Sequence, residues 1–133
     1  MFNIEKNVRI AAPIGRTWTA LTDADAMSSW MEDDTVQIDL RVGGNYSVFG
    51  GETTGAFTQI EKPDILEYTW RQSGWPKNWP DSVVRWELHR DGQTTQVRLV
   101  HSNLPTAEER SSHDEGWNIY WLEPMTEWLE SVV

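Results

Sequence analysis

The chain has 133 residues, 38% hydrophobic and 24% charged, which suits one soluble domain, residues 1–133, with a core of its own. A formal net charge of −10 argues against nucleic acid or an anionic membrane surface as partner, and no apolar run is long enough to span a bilayer. Zero cysteines exclude disulfides, thiolate metal sites and cysteine nucleophiles.

The N-terminus alternates, with Phe2, Ile4, Val8 and Ile10 set against Asn3, Glu5, Asn7 and Arg9. That pattern predicts a half-buried strand in place of a signal peptide, and a cytoplasmic location is the expectation. Ala11-Ala12-Pro13 ends the strand. Ile14, Trp18 and Leu21 then recur at helical spacing, Thr22-Asp23 stops and recaps the chain, and Met27, Trp30 and Met31 mark a second short helix. Val36, Ile38, Leu40 and Val42 alternate with polar residues, predicting a strand that turns at Gly43-Gly44-Asn45 and continues through Tyr46 and Val48. Turns at Gly50-Gly51, Lys62-Pro63-Asp64 and Asp91-Gly92 separate further strands, whose inward residues are Leu66, Tyr68 and Trp70, then Val84, Trp86 and Leu88, then Val97, Leu99 and His101. Ser73 to Ser82 is a loop holding Trp75 and Trp79.

The tail, Ser111 to Val133, reads as the longest helix. Ser111 or Ser112 is its expected cap, with Asp114 and Glu115 in the first turn. His113, Trp117, Trp121 and Met125 follow four residues apart, and Trp128 and Leu129 close one bulky face. Pro124 predicts a kink, because it lacks a backbone donor and crowds the carbonyl of Tyr120. The whole is α+β: a strand, two short helices, about six antiparallel strands in a meander, and one long helix covering the dry face of the sheet.

Thr17–Met31, Leu40–Gly50, Phe57–Trp70, Leu99–Pro105 and His113–Glu130 together resemble the START-like (SRPBCC) superfamily, and within it the small bacterial homologues of the activator of the heat-shock-protein-90 ATPase. The resemblance runs the length of the chain in the right order. It implies the helix-grip fold, a curved antiparallel sheet of about seven strands around a long C-terminal helix, with a deep pocket for an apolar small molecule. The family has no shared catalytic signature, and Pro124 interrupts a helix that is usually continuous in it.

His101 shares a face with Val97 and Leu99 and so points under the helix. It is a satisfied core group, the polar anchor of a pocket, or a general base. His113 reads as a capping or packing residue; Asp114 and Glu115 fall on other helix faces, so no metal site is expected, and no cofactor either. Nine tryptophans in so small a chain favour an aromatic-lined cavity. The expected ligand-binding set is Trp30, Met31, Tyr68, Trp70, Trp75, Trp79, Trp86, His101, Trp117 and Trp121, with no residue assigned to catalysis. GxSxG, HExxH and glycine-rich phosphate loops are absent from the sequence. The leading reading is a module that binds a hydrophobic or aromatic small molecule. An enzyme of cyclase, hydrolase or isomerase type using the same pocket, and a chaperone-associated interaction domain, are the alternatives. A homodimer is a further expected assembly.

Overall fold

Alternating apolar and polar residues build a seven-stranded antiparallel sheet in the computed structural model, which describes residues 2–131. Its strands are β1 (Phe2–Ile10), β2 (Gln37–Ile38), β3 (Asn45–Val48), β4 (Thr53–Glu61), β5 (Ile65–Gln72), β6 (Ser82–Asp91) and β7 (Thr94–Leu104). Their order is β1-β7-β6-β5-β4-β3-β2, so β2 to β7 form the expected meander and β1 closes on β7. Helices α1 (Ile14–Thr22) and α2 (Ala24–Met31) follow β1. The tail is one helical run in three parts: α3 (Ala107–Gly116), a π-helical segment (Trp117–Leu122) and α4 (Glu123–Glu130). This is the helix-grip architecture. Val132 and Val133, the end of the expected tail helix, lie outside the described residues.

One face of the sheet is dry. Leu66, Tyr68 and Trp70, Val84, Trp86 and Leu88, and Val97, Leu99 and His101 are all buried, and Trp117, Trp121, Met125 and Leu129 of the tail are buried with them. The wet face carries a charge ladder, Arg85 with Glu67 and Glu87, and Arg98 with Glu87 and Glu5. Exposed pairs of that kind contribute little, so register is set by burial on the other face. The tail is tied to the first strand at both ends. Lys6 pairs with Asp114 at 2.9 Å, and the Ala11 N–H donates to Glu130 Oε2 at 2.8 Å. No helix among the described residues is long and apolar enough to cross a membrane.

Two local expectations need correction. The strand read through Val42 stops at Ile38, and Leu40 and Val42 are exposed. The chain loops back over Asp39–Gly44 instead, with the Arg41 N–H on Asp39 O and the Gly44 N–H on Arg41 O. Alternation had extended the strand into residues that have no partner strand. The tail helix begins one turn earlier than Ser111, at Ala107. Thr106 caps it, accepting from the Glu109 N–H at 3.1 Å, with Glu108 and Glu109 at the positive end of the dipole. That first stretch has no buried residue, so it gave no apolar stripe to read.

Pro124, where a kink was expected, follows a widened turn, one of the places where helices bend. It stands in the first turn of α4, directly after the π segment, where no intrahelical donor is required of it. The π segment also answers the four-residue spacing of His113, Trp117, Trp121, Met125 and Leu129. At 3.6 residues per turn a four-residue step overshoots by about 40°, and repeated steps carry the stripe off the sheet. A wider turn rotates it back.

Gly55 in β4 shows how closely the β3–β5 end is packed. A Cβ there would lie 1.8 Å from Thr69 O and 2.6 Å from the Tyr46 ring. We expect Gly55→Ala to destabilise the fold by about 2–4 kcal/mol, read as a lower urea midpoint at unchanged slope. A midpoint equal to that of the unsubstituted chain would refute this packing.

Candidate functional site

Where β4 and β5 pass the tail helix, a cavity of about 390 Å³ opens between them. Trp70 of β5 and Trp117 and Trp121 of the π segment form its aromatic wall with the buried Thr53 beside them, while Phe49, Glu52, Gln72 and Tyr120 stand around its mouth. The groove is thus lined by aromatic side chains between sheet and helix, with a few polar groups at the rim. The ring centroids of Trp70 and Trp117 are 4.9 Å apart, those of Trp117 and Trp121 5.0 Å, and those of Trp70 and Trp121 5.8 Å. Each pair is tilted, as the aromatic quadrupole favours. The π segment presents both Trp117 and Trp121 inward and leaves Ile119 and Tyr120 outside.

Behind the wall two histidines fix the proton positions. An indole N–H only donates, so a ring nitrogen that receives one carries no hydrogen. Trp117 Nε1 donates to His101 Nδ1 at 3.0 Å; His101 therefore bears its proton on Nε2 and donates to Ser82 Oγ at 2.8 Å, which donates in turn to Trp70 O at 2.9 Å. Trp70 Nε1 donates to His113 Nε2 at 3.0 Å, so His113 Nδ1–H donates to Glu109 O at 2.7 Å. His101 is fully buried, and burial, then the nearby His113, hold its pKa well below the usual imidazole value. With both nitrogens engaged and no solvent contact, His101 has no lone pair turned to the cavity. Tyr68 is buried too, its hydroxyl accepting from Trp86 Nε1 at 2.9 Å, and burial raises its pKa.

The ten residues expected from sequence fall into separate places. Trp70, Trp117 and Trp121 line the cavity. Trp86 and His101 lie behind it, fully buried, and Tyr68 sits deeper in the sheet against Tyr46 at 4.7 Å between centroids. Trp30 packs edge-on to Trp121 at 5.7 Å and donates to Ala20 O, while Met31 is half-buried beside the core. Trp75 is fastened to the tail through Glu109 Oε1 at 2.9 Å and lies 6.1 Å from His113. Trp79 packs on Trp75, and its carbonyl accepts from Arg71.

The mouth residues were not legible from the sequence. Phe49 adopts a left-handed backbone (φ +54°) followed by two glycines at φ +66° and +91°. Asp33 holds that turn, its carboxylate accepting the Phe49 N–H at 2.6 Å, and Thr35 Oγ1 accepts the Gly50 N–H at 2.7 Å. Burial acts to raise the Asp33 pKa, but hydrogen bonds from Thr35 and Phe49 outweigh it and hold the carboxyl below the usual range. The Phe-Gly-Gly run was the available signal: a turn that places an aromatic at a strained position beside a cavity. Among the described residues no group of three His, Asp or Glu stands close enough to hold a metal ion.

Comparison with known proteins gives a consistent picture. The family described as "Activator of Hsp90 ATPase homolog 1-like protein" matches residues 11–130. An uncharacterized protein of Schizosaccharomyces pombe is 27% identical over 107 residues, covering 80% of this chain and 31% of that one. This chain spans less than a third of the length of the curated relatives it matches. The crystal structure of an HSP90 activator from Plasmodium falciparum superposes with a TM-score of 0.90 at 25% identity, over 98% of this chain and 97% of that one. The solution structure of the Aha1 dimer from Colwellia psychrerythraea superposes at 0.78 and 23% identity, over 98% and 97%.

The buried histidine has a pH signature. Folded His101 stays neutral below the ordinary value of 6.5, at which an unfolded imidazole takes its proton. The unfolded chain therefore binds the extra proton first, so this contribution is whole above about pH 7 and is lost on acidification. Between about pH 7.5 and 5.5 the loss should be on the order of 1 kcal/mol. His101→Gln keeps a donor and an acceptor without titrating, and its urea stability should fall that much less over the same interval. Equal losses in the two proteins would refute the buried neutral assignment.

Proposed function

We propose that this chain, which belongs to the family of Activator of Hsp90 ATPase homolog 1-like proteins, holds an apolar, aromatic small molecule in the cleft between its sheet and its tail helix. The observation that carries this reading is the 390 Å³ cavity walled by Trp70, Trp117 and Trp121. A cavity of that size suits a ligand of two or three rings. The three indoles supply stacking surface, and Trp121 adds a polar contact. Its N–H has no acceptor among the described residues, whereas the indoles of Trp30, Trp70, Trp75, Trp86 and Trp117 are each bonded to one. His101, Trp86, Tyr68 and Trp30 hold that wall in place from behind, and the Trp75–Trp79 loop braces His113. Met31 supports the same cluster from α2.

A binding role also fits the state of the histidines. A general base must offer a free lone pair to the substrate, and the ring nitrogens of His101 and His113 are all engaged within the protein. An interaction with a protein partner is the second reading, and the Plasmodium falciparum HSP90 activator favours it by its fold match over nearly the full length of both chains. The exposed Ile119 on the outer side of the π segment, beside Tyr120 at the cleft mouth, would suit such a contact. We also propose a homodimer, the assembly of the Colwellia psychrerythraea relative.

Native mass spectrometry of gently purified protein tests both stoichiometry and content, since a co-purified molecule adds its mass to one chain or two. Titration with naphthylmethanol, followed by two-dimensional NMR, then locates the site. The Trp121 indole N–H and the amides of Thr53, Gln72, Ser112 and Gly116 should shift together. Shifts confined to Leu40, Val42 and other exposed residues, or none at all, would exclude the cleft as a ligand site.

A further inference from the structure

We infer that the ligand of this cleft is an organic cation: an apolar ring system bearing an amine, its charged end at Glu52 and its rings against the tryptophan wall. This rests on the cleft being a ligand site and names the class of molecule it takes. Among the residues that line the cavity, Glu52 is the one with a formal charge, and no Lys or Arg joins it. The Glu52 side chain is exposed at the mouth and has no ion-pair or hydrogen-bond partner among the described residues. By contrast Glu5, Glu67 and Glu87 on the outer face of the sheet are all paired with arginines. His113, the one other titratable group near the mouth besides Tyr120, adds no positive charge, since its Nε2 receives the Trp70 N–H and so carries no proton.

The remaining surfaces of the cleft attract the same charge. Phe49, Trp70, Trp117, Tyr120 and Trp121 line it with aromatic rings, whose faces carry partial negative charge and draw an ammonium or an iminium. Gln72 donates its amide N–H to Thr53 Oγ1 at 2.9 Å, which leaves its carbonyl oxygen as a further acceptor in the lining. A chain of net charge −10 raises the local concentration of cations before any contact is made. A carboxylate or phosphate would meet the opposite: an unpaired carboxylate at the entrance, no basic side chain within, and the loss of its hydration. Fatty acids and phosphate esters are therefore poor candidates.

Three probes that share one ring system separate these terms: naphthylmethylammonium, naphthylmethanol and naphthoate, each titrated by calorimetry and by NMR. The ammonium should bind about tenfold tighter than the alcohol, and naphthoate more weakly than both. Its advantage should shrink from low salt to about half-molar salt, because the Glu52 contact is solvent-exposed. Glu52→Gln, a change at an exposed position, should bring the affinity of the ammonium down to about that of the alcohol. Equal affinities for the three probes, tighter binding of naphthoate, or an ammonium preference that survives Glu52→Gln would each overturn the inference while leaving the cleft a ligand site. Failure of all three probes to bind would remove the ligand site itself, and the inference with it.

Discussion

A buried indole N–H generally takes an acceptor, and the way two tryptophans meet that demand organises this molecule. Trp70 on the sheet donates to His113 on the tail helix, and Trp117 on the tail helix donates to His101 on the sheet. The two bonds cross in opposite directions between the same two elements, and the histidine rings they reach are 5.2 Å apart. Hydrophobic burial alone would let the helix slide or roll on the sheet, because apolar contact has little directional preference. These paired bonds have both direction and register. Losing any one of the four rings leaves a buried donor or acceptor without its partner, which costs about 1–3 kcal/mol beyond the lost packing.

The backbone of the tail adapts to that tie. His113 and Trp117 are one four-residue step apart, and Trp121, Met125 and Leu129 continue the series. An unbroken α-helix would rotate the later members away from the sheet. The π segment over Trp117–Leu122 holds Trp121 over Trp70 and Trp86 and still delivers Met125 and Leu129 to the core. Pro124 sits where the wide turn gives way to α-helix, so its missing donor falls at a place of little consequence. A residue that looks disruptive in the sequence is compatible with the fold because of the irregular turn before it.

The fold was legible for a physical reason. Strand alternation at Leu66–Trp70, Val84–Leu88 and Val97–His101 records which face is dry, and the turn residues between them record the meander. Both are local signals. The failures came where the outcome depends on a partner. Leu40 and Val42 alternate like strand residues but have no strand to pair with, and Ala107–Ser112 makes helix without an apolar stripe. The site was legible only in its walls. Trp70, Trp117 and Trp121 follow from phase, whereas Phe49, Glu52 and Gln72 reach the mouth through a strained turn and the end of a strand, which periodicity cannot place.

Nine tryptophans in a chain of this size can fill a core or line a cavity. The arrangement removes that choice. Trp30, Trp70, Trp86, Trp117 and Trp121 meet edge-on or tilted, at 4.9–6.2 Å between centroids, which fills the interior from one side. The same rings end in a wall on the other side, because the tie between helix and sheet fixes where that packing stops. Within this cluster the fate of the N–H differs where burial does not. Trp121 is as buried as Trp70 and Trp30, at 4% exposure, yet its donor alone within this cluster has no acceptor among the described residues. A wall held rigid by satisfied donors, with one donor left over, is a preorganised surface for the proposed ligand.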